Sequence, residues 1–223
     1  MSDESTPPAE AAQAPETAAP VGAGQEALDA AIERAETTSS RNVSNLPGLP
    51  LADDTANLRQ GPNLHDGLLG LLPLVGIWRG EGEGHDASGD YHFGQQIIVS
   101  HDGQNFLSWE ARSWKLDEQG EFSEPDLREA GFWRIGEDDE IEFVVTHASG
   151  IVELYYGKPV SQTAWELEAD VVIRSKTSPL AGAAKRLYGL VEQGGALAYV
   201  EERVDADGEL VPRLSAKLGR YAG

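Results

Sequence analysis

From Asn63 onward, short runs of alternating apolar and polar residues are cut by clusters of turn-forming ones. Gln95–Ser100 stops at His101-Asp102-Gly103, Phe106–Leu116 at Asp117-Glu118-Gln119-Gly120, and Glu129–Ile135 at Gly136-Glu137-Asp138-Asp139. Ile141–His147, Val152–Tyr156, Trp165–Arg174, Leu187–Glu192, Ala196–Val204 and Pro212–Arg220 follow in the same manner. Ile141, Phe143, Val145 and His147 fall on one side of their run, with Glu142, Val144 and Thr146 on the other. Trp165, Leu167, Ala169, Val171 and Ile173 likewise oppose Glu166, Glu168, Asp170 and Arg174. A period of two is the mark of a half-buried strand, and no βαβ spacing intervenes. With the glycine-rich run described below, roughly ten antiparallel strands joined by short turns suit a barrel or a sandwich, and periodicity leaves both open.

Ahead of the strands, Leu64, Leu68, Leu69, Leu71, Leu72 and Leu74 form an apolar block broken by Pro73, which predicts a short lead-in helix. Residues 1 to 24 are Ala, Pro, Glu, Ser, Thr and Gly with almost no large apolar side chain, so they are expected to be a disordered arm. Gln25 to Glu36 places Leu28, Ala31, Ile32 and Ala35 at helical spacing, and Thr37 to Pro62 returns to a linker composition. The expected division is an acidic, Ala/Pro-rich arm with a short helix over 1–61 and an all-β domain over 62–223.

Composition narrows the chemistry. The 223 residues contain no cysteine, and Met1 is the single methionine, so disulfides, thiolate metal sites and a catalytic thiol are excluded. The formal net charge is -21, from 38 acidic and 17 basic side chains, which disfavours nucleic acid and anionic membrane surfaces as partners. No run reaches the roughly 18 to 20 apolar residues of a membrane span, and the acidic start is unlike a secretory leader. A soluble cytoplasmic protein is the expectation. No nucleophile elbow, phosphate loop, dinucleotide fingerprint or zinc-protease motif occurs, and no catalytic residue is assigned.

The most specific feature is Gly76-Ile77-Trp78-Arg79-Gly80-Glu81-Gly82, a G-x-W-x-G-x-G stretch. On a strand, Gly76, Trp78, Gly80 and Gly82 share one face, leaving bare backbone for a barrel corner or for the close approach of a ligand. With Pro73-Leu74-Val75 before it, this motif resembles the opening of the nitrobindin family. Phe106-Leu107-Ser108-Trp109, Arg128 to Arg134, His147 to Glu153 and Pro212 to Leu218 fall in that family's order. The resemblance implies a ten-stranded antiparallel barrel, similar in architecture to fatty-acid-binding proteins, with ferric haem near its open end. It also implies nitric oxide binding, isomerisation of peroxynitrite to nitrate, and pairing as homodimers.

The chain departs from the family where the iron is held. The family's Pro-His-Leu-Ser-Ala block reads Pro212-Arg213-Leu214-Ser215-Ala216 here, and a guanidinium has no lone pair to give a metal. Ser175 to Gly182 lacks the order of the family's Thr-Ala-Lys-Glu stretch, and His85 to Gly89 replaces a turn with Tyr-Pro-Thr. The expectation is a retained barrel without the family's haem ligation or isomerase activity, and no metal site. Haem b enters only if another ligand exists, with His147 a candidate cavity contact and a hydrogen-bonded structural role its alternative. His65, His85 and His101 are expected to be exposed. Arg213, grouped with Ser215 and Lys217 on a face expected to look into the cavity, would meet a neighbouring carboxylate or the anionic end of a small, otherwise apolar ligand.

Overall fold

The computed structural model describes residues 23–38, 47–179 and 181–223. Most of the expected disordered arm, residues 1–22, and part of the expected linker, 39–46, lie outside the described residues. The chain divides into two compact units, Met1–Leu49 and Pro50–Gly223. In the first, helix α1 spans Ala23–Thr38, two residues beyond the expected helix at each end, and leaves Leu28 and Ile32 exposed.

The second unit is a closed antiparallel barrel. A lead-in 3-10 helix, Asp66–Leu74, starts where the His65 imidazole accepts a hydrogen bond from the Gly67 N–H at 3.1 Å. With three residues per turn, Leu68, Leu71 and Leu74 fall on one face and are buried, while Leu69 and Leu72 stay at the surface. The strands are β1 (Gly76–Asp86), β2 (Gly89–Ser100), β3 (Leu107–Leu116), β4 (Phe122–Ile135) and β5 (Ile141–His147). They continue as β6 (Ile151–Ser161), β7 (Ala164–Arg174), β8 (Ala184–Val191), β9 (Ala196–Val204) and β10 (Leu210–Ala222). Each pairs with its neighbours in sequence, and β1 pairs with β10 to close the cylinder. A closed sheet has no free edge, which resolves the choice between barrel and sandwich.

The lead-in helix plugs one end, here the base. Trp78 Nε1–H donates to the Leu74 carbonyl at 2.9 Å, and Trp165 Nε1–H to the Gly70 carbonyl at 3.1 Å. Arg220 stacks 4.1 Å from the Trp78 ring and donates to the carbonyls of Pro73, Val75 and Gly194, tying β10 to the plug. Above the plug the lumen is filled with rings: Trp133 stacks on Phe143 at 4.6 Å, and Trp109 meets Phe143 edge-on at 5.4 Å. The alternate glycines of β1 face this interior with Trp78 and are crowded there. A Cβ on Gly80 would lie 2.4 Å from the Lys217 carbonyl oxygen, and one on Gly82 would lie 2.3 Å from that of Ser215 and 2.5 Å from Phe93 Cζ. At Gly80 and Gly82 the close approach of β10 leaves no room for a Cβ.

Two bulges change the expected faces. In β7, Val171 pairs with Leu154 and Ala169 with Tyr155, leaving Asp170 as an extra residue. The side-chain phase reverses there, so Val172 packs on the core while Val171 and Ile173, expected inside, are exposed. In β10, Pro212 pairs with Glu202 and Leu214 with Glu201, leaving Arg213 as the extra residue. Beyond it Leu214, Ala216 and Leu218 are buried and Ser215 and Lys217 exposed, the reverse of the expected orientation. The bulge separates Arg213 from the alternation that follows it, and the inward positions beyond it go to Leu214, Ala216 and Leu218.

The barrel unit also reaches back into the expected linker. The Thr55 N–H donates to the His101 carbonyl at 2.8 Å, and the His101 N–H to the Thr55 carbonyl at 3.0 Å. Leu58 packs against the core nearby. His101, expected at the surface, is fully buried. No described helix is long and apolar enough to cross a membrane.

Candidate functional site

The end opposite the plug is the mouth, where the β1–β2, β3–β4, β5–β6, β7–β8 and β9–β10 turns gather. The pairing of β1 with β10 runs out at Gly84 and Leu214. Just past that point Arg213 Nη1 donates to the backbone carbonyl of His85 on β1 and to the Tyr91 hydroxyl of β2, the latter at 3.3 Å. The guanidinium thus clasps three strands across the seam where the barrel closes. Among the described residues, no carboxylate lies within 4.0 Å of it. Burial pushes the Tyr91 hydroxyl above its ordinary pKa, although the Arg213 charge opposes this. Beside the clasp is a cavity of about 550 Å³, whose lining includes Gly84, His85, Tyr91, Glu201, Arg213 and Leu214. His85 Nδ1 lies 2.6 Å from Asp90 Oδ1.

Inward of the mouth lies a buried ionic network that the strand pattern did not announce. Arg186 on β8 bridges Glu129 Oε1 at 2.7 Å and Glu201 Oε2 at 2.8 Å. Arg203 on β9 reaches Glu153 Oε1 at 2.8 Å and Glu201 Oε1 at 3.2 Å, and donates to the Gly182 carbonyl. Trp109 Nε1–H and the Tyr155 hydroxyl donate to Glu129 and Glu153. His147 completes the circuit, with Nε2 at 2.8 Å from Glu153 and Nδ1 at 3.6 Å from Glu129. Burial works against ionisation of Glu153, but His147, Arg203 and Arg186 outweigh it and hold the carboxyl well below the usual range. The balance at Glu129 has the same sign, set against burial chiefly by Arg186 and His147.

The charged residues of this network lie in phase with inward residues. Glu129 alternates with Trp133, Glu153 with Ile151 and Tyr155, Arg186 with Ala184 and Tyr188, and Glu201 with Leu197 and Tyr199. That phase was a readable signal of burial. An inner pocket bounded by Gln95, Trp109, Arg186 and Glu201 among others is about 10 Å³.

The structure therefore separates the sequence-derived candidates. Gly76, Trp78, Gly80 and Gly82 belong to the closing seam and base, His147 to the internal network, and Arg213 to the mouth.

Residues 67–220 match the family model described as a THAP4-like, heme-binding beta-barrel domain. The chain is 60% identical over 210 residues to peroxynitrite isomerase 1 of Mycobacterium marinum, covering 91% of this chain and 94% of that protein. It is 63% identical over 197 residues to the ferric nitrobindin-like protein of Nocardia farcinica, covering 86% and 83% respectively. Among solved structures, Rv2717c from M. tuberculosis superimposes with a TM-score of 0.62 at 26% identity, over 71% of this chain and 99% of that one. A family match across the barrel, relatives this similar over most of their length and a shared closed-barrel architecture lead to one conclusion: the chain belongs to the nitrobindin family of haem-binding β-barrels.

Proposed function

We propose that this barrel does not ligate haem iron through β10, lacks peroxynitrite isomerase activity as a result, and keeps its mouth pocket as a small-molecule site. The observation that carries this reading is the Arg213 clasp. The residue in the family's histidine position is a permanent cation with no lone pair, and it already donates to His85 and Tyr91. His147 does not replace the missing ligand, because each ring nitrogen faces a glutamate of the internal network. The inner pocket beside Gln95, Trp109 and Arg186, about 10 Å³, admits neither a tetrapyrrole nor an acyl chain. The residues present thus do not fit haem held in the family's manner.

The mouth cavity, at about 550 Å³, is within the range of small-ligand sites, which is roughly 300 to 1,000 Å³. Arg213 forms no ion pair within 4.0 Å among the described residues, although its charge reaches Asp86 and Glu83, Asp90, Glu201 and Glu202 line the same cavity; an anionic group on a ligand there would have to bind at the guanidinium itself.

A second reading keeps the haem and moves the ligand. His85 lines the same cavity, and Asp90 at its Nδ1 would fix the tautomer that leaves the Nε2 lone pair for a metal. Haemin titration of the full chain, followed in the Soret region for wild type, Arg213→His and His85→Ala, tests both. A silent wild type with uptake by Arg213→His supports the first reading. A stoichiometric axial-ligand spectrum in the wild type overturns it, and loss of that spectrum in His85→Ala supports the second.

A further inference from the structure

Segment 50–63 runs from the start of the barrel unit to the lead-in helix, and it pairs with the end of β2 at a single residue, His101. The pairing is with the backbone of His101, whose imidazole is fully buried with neither Nδ1 nor Nε2 hydrogen-bonded. A buried imidazole with no hydrogen-bond partner favours the neutral form, because a charge placed there loses its hydration without gaining a hydrogen-bonded counter-ion. The segment is thinly attached: Thr55 makes the two backbone bonds, Leu58 contributes partial core packing, and Leu51 to Asp54 are exposed. We propose that segment 50–63 is an acid-sensitive strap, latched over neutral His101 and released when that ring takes up a second proton.

The coupling is direct, since ring and latch belong to one residue. A protonated imidazole must reach water or a carboxylate, and swinging it out displaces the main chain that pairs with Thr55. The charged groups that face His101 are Asp54 from the strap and Asp102 from the turn. Both favour protonation, yet neither hydrogen-bonds either ring nitrogen in the latched form. Burial outweighs them and holds the group below its ordinary value of 6.5. A histidine depressed in this way supports the closed form fully above the unlatched value and loses that support as pH falls below it. If the unlatched ring titrates near 6.5, lowering the pH from about 7.5 to about 5 raises the open fraction by up to roughly 30-fold.

The experiment is amide hydrogen exchange on the full chain at those two pH values, expressed as protection factors, with Tyr155 in the barrel wall as reference. Protection at Thr55 and His101 is expected to fall at least tenfold at the lower pH while Tyr155 holds. In His101→Leu, and in His101→Gln should the first variant fold poorly, protection is expected to be independent of pH. NMR titration of the His101 ring should give a midpoint that coincides with the loss of protection. Unchanged protection in the wild type, or an equal fall in the variants, overturns the latch.

Discussion

Glu153 has no exposed surface and meets Arg203, His147 and the Tyr155 hydroxyl within hydrogen-bonding distance. Because His147, Arg203 and Arg186 hold its carboxyl below the ordinary range, the folded state binds fewer protons than the unfolded chain in acid. The resulting stability is present above the unfolded carboxylate value of about 4.5 and is lost as pH falls from there through the depressed folded value. Urea midpoints measured from neutral pH down to about 3 should therefore decline below about 4.5, and Glu153→Gln should flatten that decline. Arg186 is the more severe test, since it neutralises Glu129 and Glu201 at once. Arg186→Met leaves both carboxylates short of a buried partner, and by urea denaturation it should cost about 3 to 5 kcal/mol, the scale for breaking a buried ion pair. A loss below about 1 kcal/mol would show that water or relaxed neighbours take over the guanidinium's role.

For single elements, the glycine strand and the bulged strands show what a pattern can carry. The spacing of Gly76, Trp78, Gly80 and Gly82 put all four on one face, and the structure puts that face inside against β10 and Phe93. Gly82→Val would drive a Cβ into the Ser215 carbonyl and the Phe93 ring, so it should destabilise the barrel by about 1 to 3 kcal/mol, the cost of overpacking. Thermal unfolding followed by tryptophan fluorescence would read this, and an unchanged midpoint would mean that the seam relaxes freely. The faces of β7 were legible only as far as Asp170, because a bulge inserts one residue and inverts every later position; in β10 the alternation after Arg213 was legible, and what failed was the assignment of its polar side to the cavity. No local residue type announced either bulge. The internal network was hidden for a different reason. Glu129, Glu153, Arg186 and Glu201 are residue types expected at the surface, and only their phase with Trp133, Tyr155, Tyr188 and Tyr199 marked them as buried.

Over the whole molecule, strand number and order were legible because each hairpin pairs neighbours in sequence, so ten alternating runs leave few ways to close. The mouth was less legible, since the clasp joins residues 122 and 128 positions apart and forms only once the barrel has closed. The segment before Asn63 was read from composition as linker, and composition is silent about a single β-bridge. Two truncations weigh that segment. Starting the chain at Pro50 removes nothing from the barrel unit, and the unfolding free energy from urea denaturation should stay within about 0.5 kcal/mol of the full chain. Starting it at Asn63 also deletes the Thr55 pairing and the Leu58 contact. Two net hydrogen bonds and part of a leucine's burial amount to about 2 to 3 kcal/mol near neutral pH. If the strap unlatches in acid, the difference between the two truncations should shrink at about pH 5, because the longer chain has then lost the same contacts. A difference that persists undiminished would mean that the strap holds through Leu58 and Thr55 whatever the charge on His101.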